Sequence, residues 1–292
     1  MDHLTVILTR DRPLGLTRQL NMVLESEGHG SVLVSDNSVK PFNQALNHDL
    51  AMNKMVGYVR RNNFSSVFEH IKCCVDECSA EFVLLLHDDD IVDRDLFKVY
   101  TAVMQDDPHI DALCGAARIN GKDPVDKGWV RAVTVGAQEL IDQYTLLRSP
   151  FVSVFPFYLF RTRTLKEALA RSDDLGIYTD FSVLVELVSV SARIKWINDI
   201  VGDYGWHGSN LSSELTITAR RKMADKATSL SPNSRTSEHI RSWISAVELI
   251  FAIKSRNLAM FLKTSWSLTP RRCIDVAGYI YRIYQMKVYL RQ

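Results

Sequence analysis

The sequence predicts an α/β protein built on a mostly parallel sheet with helices on both faces. Short apolar runs alternate with longer amphipathic segments through the first half of the chain. The run at residues 81–86 lacks polar alternation, which is typical of a strand buried on both faces. Repeated strand-helix-strand order favours parallel pairing, because each crossover returns the chain to the same edge of the sheet.

The predicted elements follow one another in a regular order. The predicted strands are residues 4–9, 31–35, 55–59, 81–86, 111–117 and 152–160, with a short edge strand at 195–197. The predicted helices are residues 13–25, 66–78, 164–171 and 179–191. Ser66 and Glu69 are spaced as a capping box, which satisfies free backbone N–H groups at a helix start.

The C-terminal part of the chain is predicted to be wholly helical after about residue 215. We therefore expect one α/β domain at residues 1–213 and a helical appendage at 214–292. From Lys254 onward the chain carries eight basic residues and one acidic residue, although the whole protein has a net charge of only +1. Such helices could lie on an anionic membrane surface. They could equally pack on the domain or on a second subunit in a homo-oligomer.

Composition narrows the class of protein. The near-zero net charge gives no reason to expect a nucleic-acid partner. Five cysteines without a CxxC pair argue against a disulfide scaffold or a zinc ribbon. The start of the chain does not resemble a signal peptide, and no apolar run is long enough to span a bilayer. We expect a cytoplasmic protein that contacts a membrane at most peripherally, at the inner face.

The strongest chemical signal is the run from His87 to Asp90, directly after the fourth predicted strand. Ligands of open parallel sheets bind outside the carboxyl ends of strands. Three adjacent carboxylates repel one another, and a hard cation such as Mg²⁺ or Mn²⁺ neutralises them through oxygen ligands. Such an ion can bridge a diphosphate. The alternative is a solvated acidic turn.

Four further residues have both a functional and a structural interpretation. Asp36 ends the second strand and could accept a hydrogen bond from a nucleobase or a ribose, although Asp-Asn-Ser is also common in turns. Arg61 follows the third strand and could meet donor phosphates or base, or be a charged strand end. Asp180 opens a helix, where an N-cap alone would explain it. His207 is predicted to lie on a loop. There it could be a ligand or a hydrogen-bond donor near a diphosphate, or it could be a surface side chain.

Five short segments follow one another in a characteristic order. They are Leu-Thr-Val-Ile-Leu-Thr at 4–9 with Arg12-Pro13, Asp-Asn-Ser at 36–38, Leu-His-Asp-Asp-Asp-Ile at 86–91, Tyr-Thr-Asp-Phe at 178–181 and Trp-His-Gly-Ser-Asn-Leu-Ser at 206–212. In this order, over about residues 4–212, they resemble the family-2 glycosyltransferases of the GT-A fold. Two positions depart from that pattern: His87 replaces the first Asp of the metal motif, and Thr179 replaces the Glu before the base.

The resemblance implies a fold, an activity and a set of roles. It implies a GT-A domain at residues 1–213 and inverting transfer of a hexosyl group from a nucleotide-sugar donor, with UDP as the expected nucleotide. The acceptor would be a hydroxyl of a glycan or a lipid-linked glycan, in polysaccharide or glycoconjugate synthesis. The implied roles are nucleoside binding by Asp36, metal and diphosphate binding by Asp88 to Asp90, with Asp89 and Asp90 as the ligands of Mn²⁺ or Mg²⁺, and base catalysis by Asp180. Arg61 and His207 are further candidates for donor binding.

Two rival functions use similar residues. A sugar-phosphate nucleotidyltransferase also needs carboxylates and a metal, but it usually carries a Gly-rich loop after the first strand. Here that place reads Arg-Asp-Arg-Pro-Leu-Gly at residues 10–15. The second rival is a catalytically silent module that binds sugar nucleotides.

Overall fold

The fold is that of a computed structural model, which describes residues 1–61, 64–119, 138–141, 155–174 and 179–205. It also describes single positions between residues 222 and 280. Nine strands within these ranges form one sheet, in the order β3-β2-β1-β4-β8-β6-β9-β5, and β7 pairs with β9. The strands are β1 (His3–Thr9), β2 (Ser31–Asp36), β3 (Gly57–Arg60), β4 (Phe82–His87), β5 (Ile91–Val92), β6 (Ala112–Ile119), β7 (Gln138–Ile141), β8 (Leu159–Arg161) and β9 (Ile194–Tyr204).

Six α-helices with described bounds cover both faces of the sheet. They are α1 (Pro13–Glu25), α2 (Pro41–Asn53), α3 (Val67–Glu77), α4 (Leu96–Asp106), α5 (Thr162–Arg171) and α6 (Thr179–Ser189). A 3₁₀ helix at Phe155–Phe157 stands within the predicted strand 152–160, of which the described strand β8 retains only the end. Successive residues of a strand point to opposite faces, so β1 and β4 contribute to two separate cores. Val6 and Val83 pack with α3, α5 and α6, whereas Ile7 and Leu84 pack with α1 and α4. The predicted α/β architecture is confirmed.

The first four strands of the order are parallel. β1 pairs with β2 and with β4, and β2 pairs with β3, all in the parallel sense. All three crossovers carry a helix, which is how the chain returns to the same edge of the sheet. The predicted strand at 81–86 is β4, and its five residues from Phe82 to Leu86 are fully or almost fully buried.

The remaining strands form a mixed sheet, and here the prediction of a short edge strand is wrong. β8 pairs antiparallel with β4 and β6, and β6 pairs parallel with β9. β9 has 11 residues and lies between β6 on one side and β7 and β5 on the other. The exposed pair Asn198-Asp199 resembles a turn in the sequence. A shift in the register between Cys114 and Ala117 lets β9 continue through it.

Helix starts follow local chemistry. Proline occupies the first turn of α1 and α2, where a missing N–H costs nothing. At α3 the hydroxyl of Ser66 accepts from the backbone N–H of Glu69, as the capping box requires. The carboxylate of Glu69 accepts from the N–H of Ser65 instead of Ser66. The N-cap hydrogen bond of the predicted capping box is therefore present, but the return bond from the Glu69 carboxylate goes to the residue before the N-cap.

The C-terminal region lies mostly outside the described ranges. Among the positions described after Tyr204, all but Gly205 are helical, and Ala246, Leu249 and Val276 form a small buried cluster. The proposed boundary at 213 and the charged residues that follow Ile253 fall outside the described residues, so the boundary and the roles of the basic tail stay predictions. Within the described part of the chain, no helix is both long and apolar enough to cross a membrane.

Candidate active site at the carboxyl ends of the parallel strands

Two of the predicted sites lie at neighbouring strand ends. Thr9, the last residue of β1, pairs with Asp36 at the end of β2. The preceding residue, Leu8, pairs with His87 at the end of β4. Neighbouring strands are about 4.8 Å apart, so Asp36 and the turn at 87–90 lie on one edge at a separation of about 10 Å. We call residues 87–90 the acidic turn.

Asp88 is tied to the end of β1. Its Oδ2 accepts hydrogen bonds from the hydroxyl of Thr9 at 2.7 Å and from the backbone N–H of Arg10 at 3.2 Å. Burial raises the pKa of Asp88 to about 6, although the hydrogen bond from Thr9 and the charge of Arg12 act in the opposite direction. Asp88 is thus a buried carboxylate anchored in the sheet.

Asp89 is paired with Arg12, which was not predicted as a site residue. Nη1 of Arg12 lies 2.6 Å from Oδ2 of Asp89 and 3.4 Å from Oδ1 of Asp88. Partial burial acts to lower the pKa of Arg12, but the hydrogen bond with Asp89 and both carboxylate charges raise it. Nη2 of Arg18 also donates to the backbone carbonyl of Asp89 at 3.3 Å. The β1–α1 turn therefore supplies positive charge to the acidic turn.

Asp90 is the least satisfied carboxylate of the three. Its side chain is fully buried, and its Oδ1 accepts from the backbone N–H of Gly205 at 3.0 Å. Its Oδ2 has no hydrogen-bond donor, and Nδ1 of His87 lies 4.0 Å from it. Burial raises the pKa of Asp90 well above its usual range, and the charge of Asp89 adds to that effect.

His87, Asp89 and Asp90 together meet the requirements of a cation site. One ligand atom from each lies within 4.8 Å of the other two. A buried carboxylate oxygen without a donor is costly, and a divalent ion would satisfy it. The residues present therefore fit a divalent cation, with Asp89 and Asp90 as the predicted ligands.

Two glycines lie in close contact with the main chain of the acidic turn. A Cβ on Gly15 of α1 would overlap the carbonyl oxygen of Asp88, and a Cβ on Gly205 would overlap that of Asp89. Neither glycine was identified from the sequence, because the contacts join residues more than 70 positions apart. Only glycine allows the backbone to approach this closely.

We expect Gly15→Ala to displace the acidic turn, because the added methyl group meets backbone atoms that cannot move alone. Unfolding in urea should show a loss of roughly 1–3 kcal/mol, the usual cost of overpacking. Gly57→Ala is the control, since its Cβ would lie 3.1 Å from the flexible side chain of Leu33 and 3.3 Å from the carbonyl oxygen of Val32, tight contacts but no overlap with the main chain. Equal stability losses in the two variants would contradict this account of Gly15.

Asp36 is fully buried and already holds three donors. Oδ1 accepts from the N–H of Ser38 at 2.8 Å, and Oδ2 accepts from Nδ2 of Asn47 at 3.0 Å and from the hydroxyl of Tyr58 at 2.9 Å. Burial raises the pKa of Tyr58, and the hydrogen bond to Asp36 raises it further. A direct bond from Asp36 to a nucleoside would therefore require the loop at 36–38 to open.

Asp11 joins this loop to the β1–α1 turn. It adopts a left-handed backbone conformation, with φ of 57°, which Asp and Asn tolerate better than most residues. Its N–H donates to the hydroxyl of Ser38 at 2.7 Å, and its Oδ1 accepts from the N–H of Lys40 at 3.0 Å and from Asn43 at 3.2 Å. The sequence does not indicate this link, because Asp11 and its partners are 27 to 32 positions apart in the chain.

Arg61 lies apart from the acidic turn. Its buried guanidinium donates to both carboxylate oxygens of Glu77, at 2.8 and 2.7 Å, and Nε donates to the hydroxyl of Ser35 at 2.9 Å. A contact with donor phosphates would require the Glu77 pair to break. The role of Arg61 in donor binding stays a prediction.

The hydroxyl of Ser35 organises a buried polar cluster beneath Arg61. It accepts from Arg61 and from the thiol of Cys74, so its own proton is donated to Nε2 of His70 at 2.8 Å. The spacing of His70, Cys74 and Cys78 resembles that of a metal site. All three are buried in the core around α3, as the apolar character of that helix face predicted.

We expect His70 to make the folded protein sensitive to acid. Burial lowers its pKa to about 4 from an ordinary 6.5, and the charge of Arg61 acts in the same direction. Between these two pH values the unfolded chain binds a proton that the folded protein does not. His70 should therefore contribute a fall of roughly 3 kcal/mol in the free energy of unfolding as the pH is lowered from 6.5 to 4. Asp88, whose pKa is raised, acts in the opposite direction over the same range, so the contribution of His70 is read from the difference between wild type and a His70 variant.

The measurement is urea unfolding across pH 4 to 7 in wild-type protein and in His70→Gln. The glutamine can still accept a hydrogen bond but does not titrate, so its pH dependence should be shallower by this amount. His109→Gln, at an exposed position, should follow the wild-type curve. Identical pH dependence in wild type and His70→Gln would contradict the assignment.

Asp180 is exposed in the first turn of α6, at the helix start that the sequence predicted. Beyond the end of α6, the carbonyl of Arg193 accepts from the N–H groups of Asp111 and Ala112, where β6 begins. α6 therefore ends near the amino-end edge of the sheet. An 11-residue helix is about 16 Å long, so the first turn lies toward the opposite edge, which carries the acidic turn.

His207 lies outside the described residues, two positions after Gly205.

A cavity of about 800 Å³ opens at the amino ends of β4 and β6. None of the predicted site residues lines it, and Arg161 in its wall is paired with Glu81 at 2.6 Å. This cavity belongs to the edge opposite the acidic turn.

Comparisons with solved structures identify the fold. Residues 1–349 of S. aureus TarS, in complex with UDP-GlcNAc, match at a TM-score of 0.61 and 14% identity, over 96% of this chain and 79% of that chain. The mannosyltransferase PcManGT from Pyrobaculum calidifontis, in complex with GDP-Man and Mn²⁺, matches at 0.62 and 13%, over 99% and 86%. The longer S. aureus TarS structure matches at 0.57 and 16%, over 93% of this chain.

The protein has the GT-A fold, a mixed α/β architecture shared with these glycosyltransferase structures. The chain spans only 44% of the longer TarS chain. No protein-family profile matches the sequence, and no curated protein matches it. At identities of 13–16% the likeness defines the fold, and the activity has to be argued from the site.

Proposed function

We propose that this chain is a metal-dependent inverting glycosyltransferase that takes a hexosyl group from a nucleotide-sugar donor, with UDP as the expected nucleotide. The observation that carries the proposal is the acidic turn, in which a buried oxygen of Asp90 has no hydrogen-bond donor. The turn occupies the edge where open α/β sheets bind ligands. Structural neighbours in complex with UDP-GlcNAc and with GDP-Man and Mn²⁺ support it.

The donor would lie along the carboxyl ends of β2, β1 and β4. Three of the roughly four acceptor positions of the Asp36 carboxylate are in use, which leaves one on Oδ1 that a nucleobase N–H or a ribose hydroxyl could reach once the loop at 36–38 opens. Asp89 and Asp90 would hold Mn²⁺ or Mg²⁺. When bound, the ion neutralises the diphosphate and the charge of the departing nucleotide. Asp88 and His207 would complete the diphosphate site.

Asp180 would act as the general base. An acceptor hydroxyl is a poor nucleophile until a base takes its proton. In an inverting transfer that base stands on the face opposite the leaving group, so it must come from a different segment than the acidic turn. Asp180 is exposed on a helix that begins toward the same edge of the sheet, which supports this role.

The acceptor and the location are also proposals. We propose a hydroxyl of a glycan or a lipid-linked glycan as the acceptor and a cytoplasmic protein. Peripheral membrane contact through the basic tail, and assembly into a homo-oligomer, rest on the sequence pattern alone.

The proposal is tested by thermal unfolding with a nucleotide panel. UDP, GDP, CMP and UDP-GlcNAc would each be added with and without Mn²⁺. A ligand that binds only the native state stabilises it by about 2.7 kcal/mol at a concentration of 100 Kd. We expect a uridine nucleotide with Mn²⁺ to give the largest increase in Tm. No increase with any nucleotide would overturn the proposed donor site, and an increase independent of Mn²⁺ would overturn the metal.

A product assay separates the rival functions. Release of UDP from UDP-GlcNAc, even slowly and without an acceptor, would identify an enzyme and not a silent binding module. A sugar-phosphate nucleotidyltransferase would instead release pyrophosphate from a nucleoside triphosphate and a sugar phosphate. Finding that second reaction in place of the first would replace the present proposal.

A further inference from the structure

We propose that His87 is a third protein ligand of the cation and makes the site prefer Mn²⁺ to Mg²⁺. This inference rests on the metal site of the proposed function and adds a nitrogen donor to Asp89 and Asp90. In the sequence, His87 stands where the resembling family has an aspartate. The structure places the imidazole against the carboxylate that most needs a partner.

The separation of the two side chains matches that of two ligands of one ion. Nδ1 of His87 and Oδ2 of Asp90 are 4.0 Å apart, too far for a hydrogen bond. Ligand atoms about 2.1–2.2 Å from a common ion can be at most about 4.4 Å apart. An ion between the two atoms would therefore contact both without a backbone shift.

Two polar atoms of these side chains are buried without a hydrogen bond. One is Oδ2 of Asp90, the proposed ligand atom, and the other is Nε2 of His87, the ring nitrogen other than Nδ1. Both residues belong to the three-residue group whose ligand atoms lie within 4.8 Å of one another. His87 is the last residue of β4, so the sheet fixes the position of its backbone.

Asp89 is the ligand that already has a cationic partner. Its Oδ2 is bound to Arg12 at 2.6 Å, so an ion shared with His87 would compete with that guanidinium for the carboxylate. Arg12 neutralises the turn before the ion arrives, which lowers the repulsion among the carboxylates. Binding of the ion would free the guanidinium beside the place proposed for the diphosphate.

The chemistry of the third ligand sets the preference among ions. Mg²⁺ favours an octahedral shell of oxygen ligands and gives up water reluctantly. Imidazole suits first-row ions such as Fe²⁺, Ni²⁺ and Zn²⁺, and carboxylate and water suit Mg²⁺ and Mn²⁺ alike. Mn²⁺ belongs to the first-row series, so it accepts a nitrogen ligand more readily than Mg²⁺ does. A site with two carboxylates and one imidazole therefore offers oxygen ligands that both ions accept and a nitrogen ligand that Mg²⁺ accepts less readily. Such a site is expected to prefer Mn²⁺ to Mg²⁺.

The decisive measurement is electron spin-echo envelope modulation of Mn²⁺ bound to the full chain. Inorganic pyrophosphate would be added in place of a nucleotide, because neither it nor Mn²⁺ contains nitrogen. We expect ¹⁴N modulation from a directly bound imidazole in wild-type protein and in His109→Ala. His87→Asp, which restores an oxygen ligand, should bind Mn²⁺ and lose that modulation.

Calorimetric titration supplies the affinities. His87→Ala should raise the Kd for Mn²⁺ by at least the roughly tenfold that loss of an outer-shell partner costs. His87→Asp should narrow the ratio of Kd for Mg²⁺ to Kd for Mn²⁺.

The outcomes separate this inference from the proposed function. Mn²⁺ binding without ¹⁴N modulation, or an unchanged metal preference in His87→Asp, would overturn the role of His87 and leave the metal site standing. Absence of Mn²⁺ binding by wild-type protein would overturn both.

Discussion

Asp180→Asn is expected to lower kcat by roughly 10²–10⁴-fold, the usual contribution of a general base, while the Kd for the donor changes little. Asparagine keeps the shape of the side chain and cannot accept a proton. Because Asp180 is exposed at the helix start, the substitution should leave the fold intact. The measurement is steady-state kinetics with a saturating acceptor, alongside calorimetric titration of the donor.

Asp173→Asn and Asp174→Asn are the matched controls, since both carboxylates are exposed in the segment just before α6. We expect near-normal turnover in both variants. Near-normal turnover in Asp180→Asn would instead remove the proposed base. An NMR coupling constant showing retained anomeric configuration would remove the inverting mechanism, because an α-linked donor should give a β-linked product.

Asp89→Ala should abolish Mn²⁺-dependent nucleotide binding in a protein that remains folded. The substitution removes a predicted ligand and also leaves Arg12 with only its longer contact to Asp88, at 3.4 Å. We expect the Mn²⁺-dependent increase in Tm with UDP to disappear, and any residual nucleotide binding to be independent of metal. The measurement is thermal unfolding with UDP, with and without Mn²⁺.

Asp106→Ala provides the control for this variant, because Asp106 is an exposed carboxylate at the end of α4. It should retain the wild-type response to Mn²⁺. If Asp89→Ala kept that response as well, the acidic turn would have no role in metal binding.

The elements that could be predicted from the sequence are those whose burial follows a simple period. β1, β2, β4, α1 and the start of α6 appear where apolar runs and helix starts placed them. α2 was missed because its buried positions include Gln44 and Asn47, so its inward face does not read as apolar. α4 was not predicted either, although the helical spacing of its buried residues Leu96, Phe97 and Tyr100 is visible in the sequence.

The candidate site divides in the same way. Asp36 and the acidic turn could be predicted because each follows a strand, and parallel strands bring their carboxyl ends to one edge. The partner of Asp90 could not, since the N–H of Gly205 is 115 residues away in the chain. The pairing of Arg12 with Asp89 likewise depends on β1 and β4 lying side by side in the sheet, which brings the turns that follow them together.

The short strand β8 divides the sheet into two plates. It pairs over three residues with β4 and over two with β6, whereas β1 and β4 pair over six. Side-chain packing therefore makes up much of the contact between the two plates. The rings of Tyr158 and Phe160 are stacked there with their centroids 5.2 Å apart. Backbone hydrogen bonding is continuous across the sheet, but it is thinnest at this seam.

The acidic turn is where the chain crosses from one plate to the other. Asp88 is held by Thr9 of the first plate, and Asp90 is held by Gly205, which follows β9 in the second. Any sliding or opening of the plates changes the distance between these two carboxylates. The geometry of the cation site therefore depends on the relative position of the two plates. An ion bound there would stabilise one such position.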